Sequence, residues 1–196
     1  MNNVIIKWLR SFLDHFIFVG EFMKKTYLRK TVLSALFLAI GAVLPLLTSQ
    51  IKEIGDTLLP MHIPVMLCGL ICGPFYGLSV GLILPFFRSL TFGMPPFYPN
   101  AVWMAAELAA YGFLIGFTYL RFKNPKLLQV YISLLVSMLG GRIVWGLVKT
   151  LLLGLGGNSF TLAAFATGGF LDAIPGIILQ LVLIPFIFRL YQKISK

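Results

Sequence analysis

The chain has 196 residues, 59% of them hydrophobic and 11% charged, with a formal net charge of +10. A mean hydropathy of +0.93 makes lipid its solvent and leaves little room for a soluble domain. The positive charge does not point to nucleic acid, because the basic residues sit beside apolar runs, where they serve topology and meet anionic headgroups.

In chain order, the first stretch, 1–22, is amphipathic. Ile5, Leu9, Phe12, Phe16 and Val19 recur at helical spacing, while Lys7, Arg10, Ser11, Asp14 and His15 are polar. It reads as a helix lying on the membrane surface, or as an extension before a start at Met23-Lys24-Lys25; both readings stand. No cleavable signal peptide is read here. Residues 23–196 form one transmembrane domain. A first span is expected from about Thr31 to Ser49, followed by a polar loop to Pro60 that holds Lys52, Glu53 and Asp56. The second, about Met61 to Gly73, is short and ends at Gly73-Pro74. The third runs from about Phe75 to Leu90. The turn-rich segment TFGMPPFYPN separates it from the fourth, about Ala101 to Leu120. The basic turn Arg121 to Lys126 leads to the fifth, about Leu127 to Leu147. A glycine-rich loop, Gly154 to Ser159, precedes the sixth, about Phe160 to Phe188. The predicted class is therefore all-α integral membrane: six helices in one compact bundle after an amphipathic N-terminal helix.

Charge sets the orientation. With both termini cytoplasmic, the inner segments hold Lys7, Arg10, Lys24, Lys25, Arg29, Lys30, Arg121, Lys123, Lys126, Arg189, Lys193 and Lys196. Lys52 lies in an outer loop, with Arg88 and Lys149 near outer helix ends. Small residues set the packing. Gly69, Gly73, Gly77 and Gly81 recur every four positions, as do Gly112 and Gly116, which lets helix backbones approach closely. Pro74 interrupts the first series, so that series serves two helices. Cys68 and Cys72, four apart without zinc-ligand or redox spacing, read as buried structural thiols.

Ionisable groups inside spans are few and need a reason. They are Arg88, Glu107, Arg142, Lys149 and Asp172. Glu107 falls about two turns below the outer end of the fourth helix, roughly 9 Å at 1.5 Å per residue. Arg142 falls a turn or two below the outer end of the fifth, Asp172 nearer mid-membrane and Arg88 near the outer end of the third. Trp103, Trp145, Tyr98, Asn100, His62 and Asn158 flank them, the make-up of an outward-facing small-molecule pocket. The alternative is internal pairing of Arg142 with Glu107 or Asp172, which fixes helix register; the two can coexist. His62, between Pro60 and Pro64, is either a ligand contact or a hydrogen-bonded structural residue. Cations outnumber carboxylates among the five, which favours a carboxylate or phosphate on the substrate. Phosphate-loop and HExxH motifs are absent from the sequence, so no catalytic residue, metal or cofactor is expected.

Several motifs resemble the substrate-binding S subunits of energy-coupling factor (ECF) vitamin transporters. Ala35-Leu-Phe-Leu-Ala39 resembles the small-residue face that docks on the coupling subunit. The segment from Leu58 to Pro96 is similar to a branch with Pro-x-His-x-Pro-Val, Gly-Pro-x-x-Gly and Pro-x-x-Arg-Ser elements. Gly140-Gly141-Arg142-Ile143-Val144-Trp145-Gly146 and Asp172-Ala-Ile-Pro175-Gly176 fit the same branch. The resemblance covers about Leu28 to Arg189 and leaves 1–22 outside. It implies a binding subunit of the bacterial cell membrane, partnered by a transmembrane coupling subunit and two cytoplasmic ATPases whose hydrolysis topples it to release substrate inside.

Within that resemblance, the expected substrate-binding residues are His62, Arg88, Asn100, Trp103, Glu107, Arg142, Trp145 and Asn158, and the docking residues are Ala35 and Ala39. The cation excess suits a carboxylate vitamin such as pantothenate. The alternatives are α-ribazole, or a pyridoxine- or pyrimidine-type ring stacked on Trp103 or Trp145. The competing classes are a self-sufficient carrier coupled to Na⁺ or H⁺ through Glu107 or Asp172, and a membrane enzyme or assembly scaffold.

Overall fold

The structure is a computed structural model, and it describes residues 26–48, 59–122, 126–155 and 173–194. The amphipathic N-terminal stretch, the loop with Lys52, Glu53 and Asp56, and the segment with Asn158 and Asp172 lie outside the described residues. Within them the chain is all-helical: α1 (Thr26–Thr48), α2 (His62–Cys72), α3 (Pro74–Phe92), α4 (Val102–Leu120), α5 (Leu127–Leu155) and α6 (Ile174–Ile194). Five of these are long and apolar enough to cross a membrane; α2 is not.

The shortness of α2 follows from its punctuation. Gly73 caps it at a φ of +112°, a conformation that side chains resist, and Pro74 opens α3 at a position needing no N–H donor. Eleven residues rise about 16 Å, roughly half a bilayer core of about 30 Å. Every residue from Met61 to Leu70 is buried. The second span is thus an internal half-length helix, walled by α1, α3, α4 and α6.

Glycine permits this enclosure. A Cβ on Gly69, Gly77 or Gly112 would run into facing backbone, because the α2–α3 series meets Gly112 and Gly116 of α4. Gly69 belongs to α2 and Gly77 and Gly81 to α3, so the glycine series does serve two helices, with its break at Pro74. Internal prolines Pro45, Pro85 and Pro185 each leave a carbonyl without its helical donor, a cost membrane helices tolerate when neighbours cover the bend.

Two boundaries depart from the sequence reading. The fifth helix continues to Leu155 rather than ending near Leu147, because Lys149 is accommodated on the helix and apolar residues resume after it. The described part of the sixth begins at Ile174; the expected start near Phe160 lies outside the described residues. Before α4 the chain makes an irregular turn, Phe97–Ala101, with Tyr98 extended (φ −126°, ψ 135°). The TFGMPPFYPN segment is therefore the connection it was expected to be. Cys68 and Cys72 are both buried, and the Cys68 thiol lies 3.4 Å from the Ser34 hydroxyl, joining α2 to α1.

Candidate functional site

Four helices converge where α2 begins. Successive helices alternate in direction, so the first turn of α2 lies level with the last turns of α3, the early turns of α4 and the later half of α5. Each contributes one ionisable side chain: His62 from α2, Arg88 from α3, Glu107 from α4 and Arg142 from α5. All four are buried.

Glu107 is the hub. Arg142 Nη1 donates to Glu107 Oε1 at 2.9 Å, and His62 Nε2 lies 3.5 Å from the same oxygen. Of the two partners expected for Arg142, Glu107 is therefore one; Asp172 lies outside the described residues. A buried guanidinium beside a buried carboxylate avoids the cost of stranding either charge in lipid. The pairing uses one of Arg142's nitrogens. Nε and Nη2 are buried without a hydrogen-bond partner among the described residues, as are both His62 ring nitrogens and Nε of Arg88. His62 is positioned through its ring, which meets Tyr111 edge-on at 4.9 Å. The two roles weighed for His62, ligand contact and structural residue, both remain open, with Glu107 Oε1 at 3.5 Å its nearest charged partner among the described residues.

Arg88 joins the cluster indirectly. Its Nη1 lies 3.6 Å from the sulfur of Met61, the residue before His62, and its guanidinium lies 5.9 Å from the Phe92 ring centroid. Above Arg142, the ammonium of Lys149 lies 4.5 Å from the Trp145 ring centroid and 5.2 Å from that of Trp103. Arg142 itself lies 5.9 Å from Trp145. Trp103 and Trp145 thus face a protein cation across α4 and α5, a favourable arrangement in a poorly solvated site.

The fifth helix runs further than its sequence reading, which changes the depth of Arg142. It lies 13 residues, about 20 Å by the helical rise, before the end at Leu155, rather than a turn or two from it. Its level is set by the Glu107 contact. Asn100 is half-buried in the turn leading into α4, and no hydrogen bond joins it to the cluster among the described residues. Tyr98, at 63% exposure, stands outside it. Asn158 lies outside the described residues.

Sequence reasoning did not single out Tyr111 and Met61. Tyr111 follows Glu107 by four residues, one turn along the same face, and that spacing is the signal that links them. Its ring also backs onto Gly141, next to Arg142, where any Cβ would collide with it. On α1, Ala35 and Ala39 are both exposed, on the outer surface of the bundle and away from this cluster. Among the described residues, no group of His, Cys, Asp and Glu is arranged to hold a metal ion.

Among the described residues, buried donors and cations surround one carboxylate, a set of groups that could accept an anion. No curated protein and no solved structure matches the chain. A family model does: the one described as "ECF transporter, substrate-specific component" matches residues 29–188, which is 160 of the 196. The stretch includes every helix of the cluster, and the chain belongs to this family of ECF transporter substrate-specific components.

Proposed function

We propose that the chain captures a small carboxylate-bearing vitamin or vitamin precursor from the outer side of the bacterial cell membrane, with pantothenate as the lead candidate. Family membership makes it a substrate-binding subunit working with a transmembrane coupling subunit and ATPases, and a transport component rather than an enzyme. The substrate class rests on one observation: Arg142 is buried and spends a single nitrogen on Glu107, leaving Nε and Nη2 without partners among the described residues. A guanidinium oriented by a carboxylate and keeping two parallel donors suits bidentate binding of a second carboxylate. His62 supplies a further donor from α2, Arg88 adds positive charge, and Trp103 and Trp145 wall the pocket. Glu107 is engaged by Arg142 at 2.9 Å, an arrangement that suits a fixed pair better than the freely exchanging carboxylate of a self-sufficient ion-coupled carrier.

Release inside follows ATP hydrolysis by the partner subunits, which topples the bundle in the membrane. The glycine contacts between α2, α3 and α4 suit movement as one body. Ala35 and Ala39 on α1 form the docking face for the coupling subunit, since they are small, exposed and one turn apart.

The test is binding of a vitamin panel to the purified chain, read by calorimetry and by the fluorescence of the pocket tryptophans. Arg142→Ala is expected to weaken binding of pantothenate by more than about tenfold, because charge-assisted contacts are the strong ones. An analogue whose carboxylate is replaced by a hydroxymethyl group should bind the wild type weakly and lose little further affinity in the variant. Equal binding of pantothenate by wild type and Arg142→Ala would sink the assignment.

A further inference from the structure

At the opposite end of the bundle, a cavity of about 440 Å³ opens between the end of α4, the start of α5 and the end of α6. Tyr119, twelve residues beyond Glu107 on α4, places it about 18 Å along that helix from the hub. Its rim carries two cations, Lys126 and Arg189, and its wall is apolar: Leu127, Leu128, Val130 and Phe188. Gln192 Nε2 donates to the Tyr119 hydroxyl at 3.3 Å, which ties α6 to α4 and leaves the phenol proton for an acceptor. The surroundings reinforce the sign. Arg29, Lys30, Arg121 and Lys193 lie at this same end, and the single acidic residue among the described ones is Glu107, at the other. Nothing described here neutralises the pair on the rim.

The geometry points to a bound anionic phospholipid, and we propose that this cavity is its seat. The headgroup phosphate sits between Lys126 and Arg189 with the Tyr119 hydroxyl as a further donor, and the first acyl carbons lie against Leu128, Val130 and Phe188. The cations stand at helix ends, at headgroup level, while the apolar wall continues into the hydrocarbon. A soluble anion would use the first and gain nothing from the second. Leu128, at 65% exposure, lies on the membrane-facing side of the opening and gives an acyl chain its path out. Basic pockets between membrane helices bind such headgroups through this combination of charge and apolar depth. A lipid there would bridge α4, α5 and α6, and would have to move with the bundle or be released when it reorients.

The test uses the purified full chain in mild detergent, with phosphatidylglycerol, phosphatidylcholine and inorganic phosphate as separate probes, and retained lipid counted by native mass spectrometry. The wild type is expected to retain one phosphatidylglycerol in preference to phosphatidylcholine. The variant K126Q/R189Q should lose that preference by about tenfold or more, from the contribution of two cations near a phosphate. The conservative K126R/R189K should keep it, and so should R121Q/K193Q, which removes equal charge at residues that do not line the cavity. The proposal is overturned if R121Q/K193Q weakens retention as much as K126Q/R189Q. It is also overturned if the two lipids are retained equally, or if inorganic phosphate displaces the lipid as well as free phosphatidylglycerol does.

Discussion

Glu107 carries more of the buried ionisable cluster than any other side chain. Its carboxylate accepts from Arg142 and lies beside His62, so one oxygen balances the charge of a guanidinium buried to 4% exposure. Removing one partner of a buried ion pair leaves the other uncompensated and is far more damaging than the pair is stabilising. Glu107→Gln keeps the shape and an acceptor for Arg142 while deleting the charge. It is expected to destabilise the chain by about 3 kcal/mol or more, seen as a lower melting temperature in detergent. A variant that melts like the wild type would mean that a group outside the described residues neutralises Arg142. The sequence made this pairing legible as a choice between Glu107 and Asp172, and could go no further. Depth along a helix depends on where the helix ends, and the end of α5 was misplaced. Tyr111 escaped notice for a different reason: an aromatic one turn below an acid is ordinary on a membrane helix, and only the Gly141 contact shows that α4 and α5 close on it.

Helices were read best where glycine and proline punctuate them. Gly73-Pro74 marks the break between α2 and α3, and the four-residue glycine spacing signals close backbone approach without naming α4 as the partner. What spacing could not show is that α2 is enclosed on all sides, since a fully apolar helix looks the same facing lipid or facing protein. The end of α5 was missed because Lys149 reads as a boundary charge. In the fold two tryptophan rings take up its ammonium, and the helix runs on to Leu155. The first helix offers an element-scale prediction. Its Ala35 and Ala39 are exposed, while Ser34 and Ala42 turn inward towards α2 and its neighbours. The outward stripe is therefore available to a partner without disturbing the core. Replacing both alanines by tryptophan is expected to abolish recovery of the coupling subunit in an affinity pull-down from native membranes, with substrate affinity unchanged. Undiminished recovery would remove α1 from the docking surface. Loss of substrate binding as well would mean that the stripe supports the fold instead.

The distribution of charge over the molecule gives it a direction. The described cations other than Arg88, Arg142 and Lys149 lie at the end formed by the start of α1, the α4–α5 turn and the end of α6, and on that bias we propose that this end faces the cytoplasm. The opposite end holds the buried His62–Glu107–Arg142 cluster. The native cysteines permit a direct check, because Cys68 and Cys72 are buried at 0% and 1% exposure and should be silent towards a membrane-impermeant thiol reagent. Gly93, in the exposed connection after α3, and Arg121, exposed at the end of α4, report on the two ends. In intact cells Gly93→Cys is expected to label at once, whereas Arg121→Cys should label only after the membrane is permeabilised. The reverse pattern would turn the His62–Glu107–Arg142 cluster towards the cytoplasm. Capture of a scarce vitamin from outside would then have no site to act through. It would also move the Lys126–Arg189 cavity to the outer leaflet, where the supply of anionic lipid differs. One labelling experiment therefore bears on both ends of the bundle, since the charge asymmetry used to orient the chain also separates the proposed anion site from the proposed lipid cavity.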